Sequence, residues 1–174
     1  ETLCPACQVF GGTGWKSSIS FNDFIMSNEK ESITQEFVAI DRFTGGGAEH
    51  LKFNAEAVPE PELEGIIHID MARINPCGLG ILALAFRDLI EGDITFGFGS
   101  SKGYGACTAE IMDVSLPSVL PDEWYKFIGQ LGIEFEALKS HKGADINEGR
   151  RVFLNACVEE FRTTISKTQE VLHA

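Results

Sequence analysis

Residues 78–114, GLGILALAFRDLIEGDITFGFGSSKGYGACTAEIMDV, decide the fold class. In their first half Leu79, Ile81, Leu82, Leu84, Ala85, Phe86, Leu89 and Ile90 place apolar groups round most of a helix. The spacing predicts a buried helix from Gly78 to Glu91, entered after Asn75-Pro76 and stopped by Gly92. Such a helix has to lie on a sheet. From Asp93 to Val114 the text turns strand-like and is broken by glycines between Gly97 and Gly105, which reads as strand, loop, strand.

Upstream, the periodicity is mostly that of strands. Residues 17–27, SSISFNDFIMS, alternate so that Ile19, Phe21 and Asp23 share one face, as in a half-buried strand. The polar stretch from Asn28 to Gln35 reads as a loop, and Phe37 to Asp41 as a strand stopped by Thr44-Gly45-Gly46-Gly47. Leu51, Phe53, Ala55 and Ala57 alternate with polar residues, the turn signal Pro59-Glu60-Pro61 follows, and Ile67, Ile69 and Met71 alternate again. Together these suggest a β-hairpin with a long connection. Downstream, Pro121-Asp122-Glu123 opens a helix ahead of Trp124, Phe127 and Ile128, and a last helix from about Asp145 carries Phe153, Cys157, Phe161 and Ile165 on one stripe. The expected architecture is α+β, an antiparallel sheet with a packed apolar helix, divided into residues 1–115 and a helical extension at 116–174. It is not a doubly wound sheet.

Charge narrows the function classes. The 174 residues hold 14 Lys and Arg against 26 Asp and Glu, a formal net charge of −12. That is the wrong sign for a protein that coats nucleic acid with a broad basic surface. The sequence contains no run of about eighteen apolar residues and no secretory signal pattern, so the expectation is a cytoplasmic protein without a membrane partner. Five cysteines in a chain of this size favour reduced thiols or a metal site over a disulfide framework. The opening Glu1-Thr2-Leu3-Cys4, with no lead-in before its first motif, reads like a fragment of a longer polypeptide.

Four places suggest chemistry. In Gly97-Phe98-Gly99-Ser100-Ser101-Lys102-Gly103-Tyr104-Gly105, closely spaced glycines let backbone N–H groups approach a phosphate while Ser and Lys add donors and a charge. The order Ser-Lys-Gly and the strand-like sequel match neither a P-loop nor a dinucleotide fingerprint, and a flexible turn suits the same text. Asp41-Arg42-Phe43-Thr44-Gly45-Gly46-Gly47 sets a cation, a hydroxyl and an aromatic at a strand end, where Arg forks onto phosphate and an aromatic stacks on a base; a plain surface pair of Asp41 and Arg42 also accounts for it. Cys4-Pro5-Ala6-Cys7 has the gap with which two thiolates grip zinc, but a tetrahedral site needs four ligands, so only half a site is visible. Redox use of the pair lacks a βαβ context, and Cys77, Cys107 and Cys157 read as core residues. Catalytic constellations are thin, and there is no His-Glu-x-x-His. Asp23, Asp41 and Glu49 read as solvated or capping acids.

In order along the chain, Cys4-x-x-Cys7-x-x-Phe10-Gly11, Ser18-x-Ser20-Phe21-x-Asp23, Ile40-Asp41-Arg42-x-Thr44-Gly45-Gly46 and Gly99-Ser100-Ser101-Lys102-Gly103-Tyr104-Gly105 resemble the RAMP superfamily of CRISPR systems. The likeness is closest to the backbone subunits of type III effector complexes and spans about residues 4 to 114. It implies a modified RRM-like, ferredoxin-like fold and CRISPR RNA as partner. Arg42, Thr44, Gly45 and Gly46 would lie near the RNA, and Gly99, Ser100, Ser101, Lys102, Gly103 and Tyr104 would contact its backbone. It further implies a zinc site at Cys4 and Cys7 completed from upstream, a shortened thumb at residues 45 to 65, and contact with other effector subunits or with a missing N-terminal half. The family's target-cleaving aspartate belongs to that N-terminal half, so no catalytic residue is carried over, and the tail after Leu116 matches nothing in the family.

Three functions compete on this reading. The first is a non-catalytic RNA-binding portion of a CRISPR effector, binding weakly and salt-sensitively because residues 1–115 hold 7 Lys and Arg against 17 Asp and Glu. A second is an endoribonuclease that processes the repeat RNA, for which His50 and Tyr104 are the nearby candidates. The third is a protein-interaction piece without direct RNA binding, which the net charge suits best.

Overall fold

The computed structural model describes residues 4–139, 141–142 and 148–172, with the side chains of 48–50, 141–142 and 168–172 outside the description. The chain runs α1 (Pro5–Phe10), β1 (Ile19–Phe21), β2 (Ile25–Met26), β3 (Ile33–Ile40), β4 (Gly47–Ala57), β5 (Leu63–Glu64) and β6 (Ile67–Ile69). It continues α2 (Pro76–Glu91), β7 (Asp113–Val114), α3 (Asp122–Gln130), α4 (Phe135–Leu138), β8 (His141–Lys142) and α5 (Glu148–Leu172). This is the expected α+β class, with the strands joined as antiparallel pairs: β1 with β6, β2 with β5, β3 with β4 and β7 with β8. Two compact units result, Glu1–Ser20 with Ile69–Ala174, and Phe21–His68. No helix among the described residues is long and apolar enough to cross a membrane.

The first unit is organised by α2, whose ends are written in its flanks. Asn75 Oδ1 accepts from Gly78 N at 2.8 Å, Pro76 occupies the first turn where no N–H is needed, and Gly92 ends the helix in the left-handed region at φ 82°. Its buried face includes Cys77, Leu79 and Leu82. α5 packs along α2 with Phe153 and Cys157 buried, and Gly80 meets the α5 backbone so closely that a Cβ would lie 2.7 Å from the Cys157 carbonyl carbon. Of the expected α5 stripe, Phe161 is half-buried and Ile165 exposed, so the apolar face fades along the helix. Trp124 of α3 fills the space beside Phe153, with ring centroids 5.9 Å apart, and its indole N–H donates to Met71 O at 2.8 Å. Arg150, although buried, donates to the carbonyls of Val114, Leu138 and Lys139.

α1 is fastened by two serines rather than by length. Ser18 Oγ donates to Gln8 O at 2.9 Å and Ser17 Oγ to Val9 O at 3.0 Å, while Val9 itself is fully buried.

The unit Phe21–His68 has a different economy, since none of its described residues is fully buried. Its main element is the β3–β4 ribbon, in which Phe37 faces Phe53 and the rings stack at 5.2 Å. The ribbon turns through residues 41–46, with a register irregularity between Val38 and Ile40. This corrects the expected hairpin between the 51–57 strand and the 67–71 strand: β4 pairs backwards with β3, and β6 pairs with β1. A six-residue turn closes with less entropy cost than the connection through Pro59 and Pro61, and β3 extends back to Ile33 into text that reads as a loop. Residues 17–27 likewise form two short strands instead of one.

Candidate nucleic-acid interface

The turn at residues 41–46 is built by Asp41. Its Oδ1 accepts from Phe43 N at 2.8 Å, its own N–H donates to Gly46 O at 2.9 Å, and its carbonyl accepts from Gly45 N at 2.9 Å. The Phe43 N–H, helped by Thr44, holds the Asp41 carboxyl below its ordinary value. Gly45 sits at φ 68°, where other residues are strained. Asp41 is thus turned inward on its own turn and forms no ion pair with Arg42 among the described residues. Arg42, Phe43, Thr44, Gly45 and Gly46 are all exposed, and Phe43 completely so. A cation and a bare aromatic ring at a turn tip can meet a phosphate and stack on a base.

The second place is the loop from Gly97 to Gly105. Strand, loop, strand was expected here; the structure has a single bridge between Thr95 and Ala106, with Phe96 N donating to Gly105 O at 2.9 Å. The Phe-Gly alternation copies a strand's period without supplying side chains to pack on both sides. Gly97, Gly99, Gly103 and Gly105 all take positive φ, and Ser100–Lys102 wind into a short 3₁₀ turn between Gly99 and Gly103. At Gly105 the requirement is absolute, because any Cβ would collide with the Phe96 carbonyl. Tyr104 is half-buried, its ring against Gly99 and its N–H donating to Gly99 O at 3.3 Å. Lys102 Nζ stands 5.0 Å above the Phe98 ring, and Phe96 and Phe98 are both exposed. These two phenylalanines are the residues whose exposure the sequence reading did not single out; their signal is the glycine that follows each, Gly97 after Phe96 and Gly99 after Phe98, which leaves no strand face to bury the ring.

The expected RNA-binding residues therefore fall into two sets, each gathered by its own turn. Arg42, Thr44, Gly45 and Gly46 belong to the Phe21–His68 unit, and Gly99 to Tyr104 belong to the other. Of the two residues considered for RNA cleavage, Tyr104 stands in the glycine loop, and the His50 side chain lies outside the described residues.

At the start of α1 the Cys4 and Cys7 thiols share a hydrogen bond at 2.9 Å, and Cys7 N donates to Cys4 Sγ at 3.3 Å. That contact holds the Cys4 thiol below its ordinary value and pushes the Cys7 thiol up. Two thiols are half of a tetrahedral zinc site. Among the described residues no third His, Cys, Asp or Glu gathers with them, so these residues do not by themselves fit the metal.

Comparison with known proteins bears on both turns at once. No curated protein matches the chain. The family model of the RAMP superfamily matches residues 1–108, a stretch that contains the Asp41–Gly46 turn and the Gly97–Gly105 loop. RAMP proteins are CRISPR-associated, and their general type of function is binding CRISPR RNA together with other subunits. With more than half its length matched, the chain belongs to the RAMP superfamily.

Proposed function

We propose that the chain is an RNA-binding, backbone-type portion of a type III CRISPR effector in antiviral defence, and that it performs no cleavage itself. In this reading Arg42, Thr44, Gly45 and Gly46 contact the CRISPR RNA from one turn, and Gly99, Ser100, Ser101, Lys102, Gly103 and Tyr104 contact its backbone from the other. The observation that carries it is the construction of the glycine loop: four positive-φ glycines fold Ser100–Lys102 into a tight turn that leaves Lys102 and Phe98 exposed within the family-matched stretch. The Lys102, Gly103 and Tyr104 N–H groups are used within the turn, and the exposed cation and ring suit a phosphate and a base. The family match ending at residue 108 also favours a RAMP portion at 1–115 with a helical extension at 116–174.

The test is an anisotropy titration of a CRISPR-repeat RNA and a scrambled RNA at low and moderate salt, with wild type, Arg42→Ala, Lys102→Ala and the double variant. Wild type is expected to bind at low salt, each single variant more weakly, and the double variant not at all. A double variant that binds like wild type removes these residues from the interface. A wild type that binds neither RNA at low salt moves the assignment to the second reading, a protein-docking piece. One observation favours that second reading: Phe21–His68 has no fully buried residue among those described, and its cations Lys30, Arg42 and Lys52 are outnumbered by acids.

A further inference from the structure

Residues 2–22 are the longest stretch of the chain without an Asp or Glu, and Lys16 is the one Lys or Arg within it. An acid beside a cation cancels its pull on a phosphate, so in a chain of net charge −12 the cations best placed to hold a polyanion are those in acid-free surroundings. The two turns already described share this pattern: residues 42–48 and 94–109 are also acid-free, with Arg42 and Lys102 as their single cations. Between α1 and β1 the chain makes a tight turn of its own. Gly12 N donates to Trp15 O and Trp15 N to Gly12 O, both at 3.0 Å, and Gly14 takes φ 78°. Gly11, at φ 85°, passes so close to the returning chain that a Cβ would lie 2.8 Å from Ser17 N. Behind the turn Ser18 is buried, and its N–H donates to Val9 O at 2.9 Å. The base is therefore fastened to α1, while Trp15 and Lys16 at its rim are exposed. Trp15 keeps 44% of its surface in solvent, against 3% for Trp124. A fastened turn that holds an indole in water presents a stacking face already in place, so little is lost to ordering when a ligand arrives.

We propose that the Gly11–Lys16 turn is a further contact for single-stranded RNA, in which the Trp15 indole stacks on an unpaired base and the Lys16 ammonium pairs with a neighbouring phosphate. The inference rests on the RNA-binding reading and adds to it a base-stacking residue in the larger unit. Every base has a face on which an indole can lie, so this contact holds the strand without reading its sequence. A base inside a duplex is already stacked on both sides, so the same turn discriminates against paired RNA.

The test titrates the full chain with a single-stranded CRISPR-repeat RNA at low salt and takes two readouts, anisotropy of labelled RNA and tryptophan emission with unlabelled RNA. Trp15 and Trp124 are the two tryptophans of the chain and only Trp15 is exposed, so a stacked base quenches Trp15. Emission is expected to fall with the same midpoint as the anisotropy change, and to stay constant when a duplex of the same sequence is added. Trp15→Phe should bind nearly as well as wild type while its remaining emission, from Trp124, no longer responds. Trp15→Ala should weaken binding about fivefold or more, the loss of one stacked base. Lys16→Ala should lower the slope of log affinity against log salt by about 0.7. RNA that binds by anisotropy with the emission unchanged, equal quenching by the duplex, or a Trp15→Ala variant that binds like wild type overturns this proposal and leaves the RNA-binding reading standing. A wild type that binds no RNA at low salt overturns both. The wild-type emission decides the matter even if Trp15→Ala folds poorly.

Discussion

Gly80 in α2 and Cys157 in α5 touch backbone to backbone: the space a Cβ on Gly80 would need is held by the Cys157 carbonyl. A carbonyl inside a helix cannot swing aside as a long side chain does, so the two helices approach at this point only because residue 80 has no side chain. Gly80→Ala is therefore expected to lower stability by about 1–3 kcal/mol despite a gain of roughly 1 kcal/mol in helix propensity. Gly129 in α3 meets open space, so Gly129→Ala should stabilise by up to about 1 kcal/mol. Urea denaturation of both variants reads the two signs, and equal effects would refute the contact.

Arg150 stitches three chain segments through one guanidinium. It donates to Leu138 O at 2.8 Å and to the carbonyls of Lys139 and Val114, and burial pulls its ionisation below the ordinary value while Asp113 opposes that shift. Arg150→Met keeps bulk and removes the donors, which should cost about 2–4 kcal/mol through the carbonyls left unpaired. Arg151→Met removes only an exposed pair with Glu148, and its change should stay within about 0.5 kcal/mol. Thermal melts of the two neighbours supply the comparison.

The salt dependence of RNA binding counts phosphate contacts. Each of Arg42→Ala and Lys102→Ala should reduce the slope of log affinity against log salt by about 0.7, the value for one neutralised phosphate on a single strand. Phe43→Ala should weaken binding with the slope unchanged, because stacking releases no counterion. Titrations at four salt concentrations separate the two effects.

Cys157 predicts an alkaline weakening of the fold. Burial, with Glu160 nearby, pushes its thiol up to about 12. The raised value means that the folded state keeps its proton after the unfolded chain, with an ordinary thiol, has lost it. The resulting stability is complete below about pH 8.5 and is lost as the pH climbs towards 12, with a slope of at most about 1.4 kcal/mol per pH unit from this group. Cys157→Ala should flatten that part of the stability profile, measured by urea denaturation between pH 8 and 11.

What could be read from the chain was whatever its neighbours in sequence determine. Asn75, Pro76 and Gly92 mark the ends of α2 by caps that act within four residues, and Pro121 followed by the acidic first turn Asp122-Glu123 marks the start of α3 without a side-chain cap. Strand partners were not legible in this way. Alternation at Leu51 to Ala57 announces a ribbon with one apolar face, yet Phe53 finds Phe37 upstream instead of the 67–71 segment downstream, and period two carries no partner's name. At the candidate interface the glycines announced turns correctly. The inward rotation of Asp41 onto Phe43 N was hidden, because an acid beside an Arg reads equally as an ion pair or as a turn cap.

The strands on which the chain leaves and re-enters its larger unit, β1 and β6, are hydrogen-bonded neighbours. Ser18 O accepts from Asp70 N at 2.8 Å on one side of that crossing, and Ile66 O accepts from Asn22 N at 3.0 Å on the other. Everything from residue 23 to residue 65 is in effect a graft on a closed stem. A change of length within it is closed off by the β1–β6 pairing and leaves the packing of α2 on α5 and the serine bonds to α1 as they are.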